Sequence, residues 1–237
     1  MTPTLSISIM HCNDVAARRV HVARMLGQLL DSEAVFVEVV KDVAREGLWP
    51  TARRAWRRAG ARGATHHLVL QDDVTLCRDF VPGVLDALAV KPDVPVSPYC
   101  PRKVVLEARA AGSSWAWAPD GVWGQALVMP LALLDDFWAW DAKNVKPEAP
   151  TDDGRFTCWA RTTGIGAYIM VPSLLEHELP HASTIGIALA DRRAAWFLGE
   201  NVSARGVDWT AGAASPVKGT ANRSVADWAA WRWRVGQ

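Results

Sequence analysis

The sequence predicts an α/β fold built around an open, mostly parallel sheet with helices on both faces. Strand-like and helix-like segments alternate through the first half of the chain, which is the pattern of successive β-α-β units. The acids Asp72 and Asp73 follow directly on a short apolar run, where a buried strand would leave the core. With 237 residues, half of them hydrophobic, the chain can bury the core of one large domain.

The elements of the first half follow from the spacing of their apolar residues. Strands are expected where short runs alternate or are uniformly branched, and helices where apolar residues recur every three or four positions. The helix over 50–59 would begin at Pro50, carry its apolar stripe on Ala52, Ala55 and Trp56, and end near Gly60. The predicted order is strand 5–9, helix 15–30, strand 34–40, helix 50–59, strand 67–70, helix 80–89 and strand 94–99.

The second half is less regular. Residues 107–123 are rich in Ala, Gly and Trp and predict irregular structure, whereas 125–129 and 167–171 predict further strands. The polar, proline-containing stretch 143–155 is predicted to be a loop. The tail 224–235, which carries three tryptophans among arginines, predicts a short amphipathic helix. Because neither a repeat nor a low-complexity linker interrupts the chain, we expect one domain over 1–237.

Composition narrows the classes of function. A formal net charge of +1 gives no global electrostatic reason to bind nucleic acid. The four cysteines form no CxxC pair, so we expect buried thiols rather than a zinc site or a disulfide framework. Neither a signal peptide nor an apolar run that could span a bilayer is evident, which predicts a soluble, cytoplasmic protein without membrane attachment. Most of the 13 tryptophans are expected in the core.

Polar residues follow three predicted strands at the points where those strands end. His11 follows the first strand, Asp42 the second, and the pair Asp72-Asp73 the third. Ligands of open α/β sheets bind outside the carboxyl ends of the strands, so these side chains are expected to share one crevice. Hard divalent cations prefer oxygen ligands and would offset the paired acids, which predicts a site for Mn²⁺ or Mg²⁺. The alternative is a solvated turn, where Asp is common.

Three other clusters have both a functional and a structural interpretation. In Thr151-Asp152-Asp153-Gly154, one acid could be a general base, or the segment could be a simple turn. His177 and His181, followed by Ser183 and Thr184, could ligate a metal or be structural histidines. The arginines of the helix at 50–59 could contact phosphate or DNA, although such a run is usually a solvated face.

Four segments together resemble nucleotide-sugar glycosyltransferases of the A-type (GT-A) fold. Their acidic strand-end motif resembles LVLQDDV, and their later histidine segment resembles PSLLEHELPHAST. GLWPTARRAWRRA and WGQALVMP occur in the matching order, and the resemblance covers about residues 5–190. It implies a Rossmann-like, nucleotide-binding half over 1–105 and an acceptor half with a C-terminal helical tail over 106–237.

The resemblance also implies roles for individual residues. It assigns the metal to Asp73 with His177 or, in competition, His181, and the catalytic base to Asp153 with Asp152 as the near alternative. It assigns the nucleotide sugar to Asp42, Arg18, Gln71, Asp72, Trp123, Gly124 and Gln125, with Gln71 or Asp72 on the ribose and the last three bordering the sugar. The strict family motif has an acid where this chain has Gln71, so we expect weaker metal binding.

The activity that the resemblance implies is metal-dependent transfer of a hexose from a nucleotide sugar to an acceptor hydroxyl. The donor is expected to be UDP-linked, because this is the usual donor of the resembling family. The acceptor is open: a glycan, a protein, a small molecule, or a hydroxymethylated pyrimidine in DNA as in phage-type modifying enzymes. A base in DNA would have to be flipped out of the duplex. The alternatives are a nucleotidyltransferase and a non-catalytic protein that binds nucleotide sugars.

Overall fold

The computed structural model describes residues 2–12, 16–43, 46–119, 123–146, 151–178 and 192–220. The helices in these ranges are α1 Ala16–Leu30, α2 Leu48–Trp56, α3 Phe80–Val90, α4 Val104–Ala110, α5 Leu131–Asn144 and α6 Asp152–Thr163. The strands are β1 Leu5–His11, β2 Phe36–Lys41, β3 His66–Gln71, β4 Val74–Leu76, β5 Val96–Ser97, β6 Trp115–Ala118, β7 Ala126–Pro130, β8 Ala167–Met170, β9 Leu175–His177 and β10 Val217–Lys218.

Eight of these strands form one twisted sheet in the order β10–β6–β8–β5–β7–β3–β1–β2. Neighbours run parallel in the pairs β1–β2, β1–β3, β5–β8 and β6–β10, and antiparallel where β7 meets β3 and β5 and where β6 meets β8. The predicted α/β class with a mostly parallel sheet is therefore confirmed.

Strand β1 is the centre of the Rossmann-like half. All seven of its residues are buried, as expected for a strand covered by helices on both faces. Ile7 and Ile9 share a core cluster with residues of α1 and α3, whereas Met10 belongs to a second cluster with α2, α5 and α6. Because side chains of a strand point to alternate faces, the two clusters lie on opposite sides of the sheet.

Helix α2 covers the second face with the predicted apolar stripe. Ala52, Ala55 and Trp56 are completely buried, and the Trp56 ring packs edge-on against Phe156 of α6 with 4.8 Å between ring centroids. The helix begins at Leu48 after Gly47 and ends at Trp56. The predictions that it begins at Pro50 and ends near Gly60 are therefore wrong by a few residues.

Several predictions for the second half are wrong. Residues 107–123 are not irregular, since they contain the end of α4 and all of β6. The predicted loop over 143–155 contains the end of α5 and the start of α6. In the first half, the strand predicted at 94–99 is reduced to two residues. The tail at 224–235 lies outside the described residues.

A second, two-stranded sheet joins the acidic segment to the histidine segment. Strands β4 and β9 run antiparallel, with Val74 opposite His177. The backbone N–H of Glu178 donates to the carbonyl of Asp73 over 2.8 Å. This pairing brings Asp73 and His177, far apart in sequence, to neighbouring positions. Among the described helices, none has both the length and the apolar character needed to cross a membrane.

Candidate functional site

The carboxyl ends of β1, β2 and β3 meet at one pocket, as the sequence predicted. We call it the strand-exit pocket; its cavity volume is about 130 Å³. It is lined by Met10, His11, Cys12, Arg18, Asp42, Gly47, Leu48, Thr51, Gln71, Asp72, Asp73 and Arg192. Five residues that the resemblance assigned to the nucleotide sugar or the metal thus share one pocket: Arg18, Asp42, Gln71, Asp72 and Asp73.

Asp72 contacts three other residues that line this pocket. Its Oδ2 lies 2.7 Å from His11 Nδ1 and accepts the backbone N–H of Cys12 over 2.7 Å. Its Oδ1 accepts from Arg18 Nη1 over 2.7 Å. Both oxygens of this buried carboxylate are therefore engaged with the end of β1 and with α1. The ribose contact assigned to Asp72 by resemblance stays a prediction, and Asp72 has an evident structural task.

Arg18 neutralises both acids of the pair. Its Nη2 lies 3.0 Å from Asp73 Oδ2 while its Nη1 holds Asp72, and the guanidinium side chain is only 7% exposed. A charged group that is buried is stabilised by such pairing. The positive charge that the sequence predicted from a divalent cation is thus supplied, for one oxygen of each acid, by Arg18.

Asp73 and His177 retain unused coordinating atoms. His177 Nε2 lies 3.4 Å from Asp73 Oδ2, yet both ring nitrogens of His177 and Oδ1 of Asp73 are buried without a hydrogen-bond partner. Burial alone would raise the pKa of Asp73, but His177, Arg18 and Arg192 outweigh burial and hold that pKa below its ordinary value. Asp73 is therefore an ionised carboxylate with a free oxygen.

These orphaned atoms fit a divalent cation that arrives with a phosphate. Within the described ranges, no cluster of three or more His, Cys, Asp or Glu side chains is arranged to hold a metal. Mg²⁺, however, is usually held by one or two carboxylates together with substrate phosphates, and imidazole is a ligand of transition metals. Asp73 and His177 supply such a partial set, and His181 lies outside the described residues.

The second acidic pair lies at the N-terminus of α6. Thr151 caps this helix by accepting the backbone N–H of Gly154 over 3.3 Å, and acids in a first helical turn interact favourably with the helix dipole. Asp152 is buried, and its Oδ2 accepts the indole N–H of Trp56 over 3.3 Å. The Thr-Asp-Asp-Gly segment is therefore a helix start rather than the turn considered from sequence.

Burial raises the pKa of both acids in this second pair. For Asp152 burial is the main cause and the charge of Asp153 adds to it, raising the pKa to about 7. Burial also raises the pKa of Asp153, against hydrogen bonds from Thr151 and from the backbones of Gly154 and Gly124. Asp73 and the α6 pair are thus opposite in character, since the pKa of Asp73 is lowered and the pKa values of Asp152 and Asp153 are raised.

Gly124 lies between Gln71 and the second acidic pair. Its position before β7 places it directly against Gln71, Asp152 and Asp153. The backbone N–H of Gln71 donates to the carbonyl of Gln125 over 3.0 Å, which fixes the end of β3 beside this segment. The structure therefore brings Gln71, Gly124, Gln125 and both α6 acids together, while their assigned roles stay predictions.

Arg192 is a charged pocket residue that sequence reasoning missed. It lines the strand-exit pocket, and its positive charge acts to lower the pKa of both Asp73 and Asp153. Its backbone carbonyl accepts from the hydroxyl of the buried Tyr99, and Glu176 accepts the nearby backbone N–H of Ala194 over 2.8 Å. No local pattern marks Arg192, because its place depends on these long-range contacts.

Asp42 and Trp123 have structural contacts besides their predicted roles. Asp42 lines the strand-exit pocket, and its carboxylate accepts the backbone N–H groups of Glu46 and Gly47 over 3.0 and 3.2 Å. The half-buried Trp123 has the guanidinium of Arg102 over its ring, 4.4 Å from the centroid. Their contacts with nucleoside and sugar stay predictions.

Three arginines in or directly after α2 contact neighbouring side chains. Arg54 pairs with Glu46, and Arg58 lies 3.4 Å from Glu38. The guanidinium of Arg57 stands 5.9 Å from the ring centroid of Trp138. These contacts favour the interpretation of this run as a solvated, partly paired face.

The solved structures to which this chain is similar include two glycosyltransferases. One is a mannosyltransferase from Pyrobaculum calidifontis in complex with GDP-Man and Mn²⁺: identity is 16%, the TM-score is 0.47, and the alignment covers 72% of this chain and 57% of that one. The other is a glycosyltransferase involved in the glycosylation of the major capsid of PBCV-1: identity is 14%, the TM-score is 0.39, and coverage is 80% and 97%. No protein-family model and no curated protein matches the chain.

Proposed function

We propose that this protein is a metal-assisted glycosyltransferase that moves a hexose from a nucleotide sugar to an acceptor hydroxyl. One observation carries the proposal: near the carboxyl end of β3 lie Asp73, whose pKa is lowered, and the pair Asp152-Asp153, whose pKa values are raised. Asp73 is held ionised beside His177 and two arginines, whereas Asp152 and Asp153 are shifted toward protonation. Such a division separates a charge-binding centre from a proton-accepting one.

The strand-exit pocket suits the diphosphate of a nucleotide sugar. Arg18 and Arg192 supply positive charge, and Asp73 with His177 would hold Mn²⁺ or Mg²⁺ when it binds with the phosphates. The cation would act as a Lewis acid that neutralises the leaving diphosphate. Asp42, at the end of β2, is the candidate contact for the nucleoside.

Asp153 is the candidate general base. It is partly exposed, whereas its neighbour Asp152 is buried, so Asp153 is the acid that an acceptor can reach. Its carboxylate would take the proton of the acceptor hydroxyl as that oxygen bonds to the sugar carbon. The bond from this carbon to the diphosphate breaks, and the nucleoside diphosphate leaves with the bonding electrons. A raised pKa makes a carboxylate a stronger base near neutral pH.

The test is product analysis with the parent chain and two variants. UDP-linked and GDP-linked sugars should both be offered, because the Pyrobaculum enzyme was solved with GDP-Man. We expect release of a nucleoside diphosphate, lost in Asp153→Asn and in Asp73→Ala and retained in Asp136→Asn, which changes an exposed acid of α5. Release of pyrophosphate would instead identify a nucleotidyltransferase, and nucleotide-sugar binding without turnover would identify a binding protein.

For the finer assignments we propose a UDP-hexose donor and a nucleic-acid acceptor containing a hydroxymethylated pyrimidine. The donor follows the habit of the resembling family. The acceptor rests on the arginines in and directly after α2, of which Arg54 and Arg58 also pair with acids of the chain. Binding of such DNA should fall steeply with salt; binding that is flat with salt removes nucleic acid and leaves a glycan, a protein or a small molecule.

A further inference from the structure

The indole of Trp56 reaches from α2 to the second acidic pair. Trp56 is completely buried, and its Nε1–H donates to Oδ2 of Asp152 over 3.3 Å. The ring packs edge-on against Phe156, with 4.8 Å between ring centroids, and against His67, with 5.7 Å. The direction of this donor is therefore set by the packing of the core.

The indole makes the two oxygens of Asp152 unequal. Oδ2 accepts from Trp56, whereas Oδ1 is buried without a hydrogen-bond partner, and the residue is only 3% exposed. A protonated carboxyl has one O–H and one carbonyl oxygen, and an N–H donor binds the carbonyl oxygen. When Asp152 is protonated, its proton is therefore on Oδ1. An unpaired buried oxygen also costs less in a neutral carboxyl than in a charged one.

Asp153 is the member of the pair whose surroundings favour the ionised form. Its Oδ1 accepts the backbone N–H of Gly154 over 2.8 Å, and the Thr151 hydroxyl and the backbone of Gly124 act to lower its pKa. Two carboxyls that share a buried site resist ionising together. The first negative charge of the pair therefore belongs on Asp153, and the remaining proton on Asp152.

We propose that Trp56 is a positioning residue that acts on the proposed base through Asp152. Its indole fixes the Asp152 carboxyl so that the proton of the pair lies on Oδ1 of Asp152 and the charge lies on Asp153. This role rests on the proposed function and deepens it, because it gives a physical reason why Asp153, rather than Asp152, takes the proton of the acceptor hydroxyl.

The other charged groups around the pair are compatible with this division. The positive charge of Arg192 acts on Asp153. On α6 itself, Arg155 is paired with Asp141 of α5 over 2.8 Å. His67, against the indole, is neutral near pH 7, because burial lowers its pKa to about 4.

The indole also affects the pH at which the second proton leaves. Burial and the charge of Asp153 raise the pKa of Asp152 to about 7, whereas the hydrogen bond from Trp56 acts to lower it. Once Asp152 is ionised, its charge raises the proton affinity of Asp153 and thereby strengthens it as a base. Trp56 thus influences the base without touching it.

The first experiment needs no sugar. The indole N–H signals of protein labelled with ¹⁵N-tryptophan are followed by NMR from about pH 5 to about pH 9, and the Trp56 signal is the one that is missing in Trp56→Phe. This signal should move with a midpoint near pH 7 as Asp152 ionises and should stay still in Asp152→Asn. The indole N–H of Trp115, which donates to the carbonyl of Trp209, should stay still in both proteins. A Trp56 signal that does not move, or that moves equally in Asp152→Asn, refutes the proposal.

The second experiment measures release of the nucleoside diphosphate from UDP-glucose and from GDP-mannose, with Mn²⁺ and with water as the acceptor, over the same pH range. Turnover of the parent should rise through about pH 7, because ionised Asp152 strengthens the base. Asp152→Asn should have no such rise, since an amide does not ionise. Trp56→Phe removes a donor from the ionised carboxylate and should move the rise upward by about one pH unit.

A matched tryptophan variant separates the outcomes. Trp115→Phe removes the indole N–H of another completely buried tryptophan and should keep the rise at the pH of the parent. Equal pH profiles for Trp56→Phe and Trp115→Phe, or a rise that persists in Asp152→Asn, refute the positioning role while the proposed function stands. A parent that releases no nucleoside diphosphate from either sugar refutes both. Asp152→Asn nearly preserves side-chain shape, so the test does not depend on Trp56→Phe folding.

Discussion

Replacing Arg18 with methionine tests whether this arginine stabilises the fold by neutralising Asp72 and Asp73. Arg18 lies between Asp72 and Asp73, with contacts of 2.7 and 3.0 Å, and its side chain is 7% exposed. Methionine keeps much of the apolar stem but leaves two carboxylates without their cation. Removing one partner of a buried ion pair typically costs about 3–5 kcal/mol, so the free energy of unfolding should fall by about that amount near pH 7.

The control is the same substitution in the same helix. Arg24, in α1, pairs with Glu200 at the surface and is 54% exposed. Exposed pairs contribute about 0.2–1 kcal/mol, so Arg24→Met should have a small effect. Urea denaturation of both variants and the parent measures the difference. If Arg18→Met costs no more than Arg24→Met, the account of Arg18 as the counter-charge of the acidic pair is refuted.

The pH dependence of this effect has a defined sign. The pKa of Asp73 is lowered in the folded chain, with Arg18 among the causes, so its contribution to stability is present at neutral pH and is lost as the pH falls through the folded pKa. Arg18→Met raises that pKa. The stability gap between parent and variant should therefore narrow as the pH falls through and below about 4, the ordinary range of Asp.

Three further outcomes are expected. Asp153→Asn should lose sugar transfer by at least about a hundredfold, as for removal of a general base, while calorimetry shows donor binding intact; equal turnover in Asp153→Asn and Asp136→Asn would contradict the assignment. Asp152→Asn should become more stable than the parent as the pH rises from about 4 to about 8. The raised pKa of Asp152 stabilises the parent fold only below that pKa. A difference in stability that does not change with pH in denaturant titrations would contradict this expectation. Gly166→Ala should lower the free energy of unfolding by about 1–3 kcal/mol, since the φ of Gly166 is +64° and the added methyl would lie 2.6 Å from a tryptophan ring. Gly27→Ala, whose added methyl has open space, should leave stability unchanged. Equal melting temperatures for the two variants would argue against this packing.

The first half of the fold was predictable because its signals are local. Each strand there is a short apolar run, and the stripe of Ala52, Ala55 and Trp56 sets the helix that covers them. The positions of Asp42 and Asp72-Asp73 were predictable from the same local signals, since acids that follow a buried strand lie at the edge of the sheet.

The features that were predicted wrongly or not at all have identifiable physical causes. Asp152, Asp153 and Gly154 were considered as a turn because each residue is common in turns, although Thr151 before them is a helix cap and Phe156, Trp159 and Ala160 follow at helical spacing. The partnership of Arg18 with Asp72 spans 54 positions, and the position of Arg192 depends on contacts with distant residues. Pairings of this kind depend on how elements pack, which residue spacing does not encode.

The most direct test of the central claim is the thermal stability of the parent chain with UDP-linked and GDP-linked sugars, with and without Mn²⁺. Ligand bound to the folded state at a hundred times its Kd adds about 2.7 kcal/mol, which should raise the midpoint by several degrees. The account predicts a shift with a nucleotide sugar that grows with Mn²⁺ and shrinks in Asp73→Ala. A well-folded sample that shows no shift with any of these sugars would contradict it.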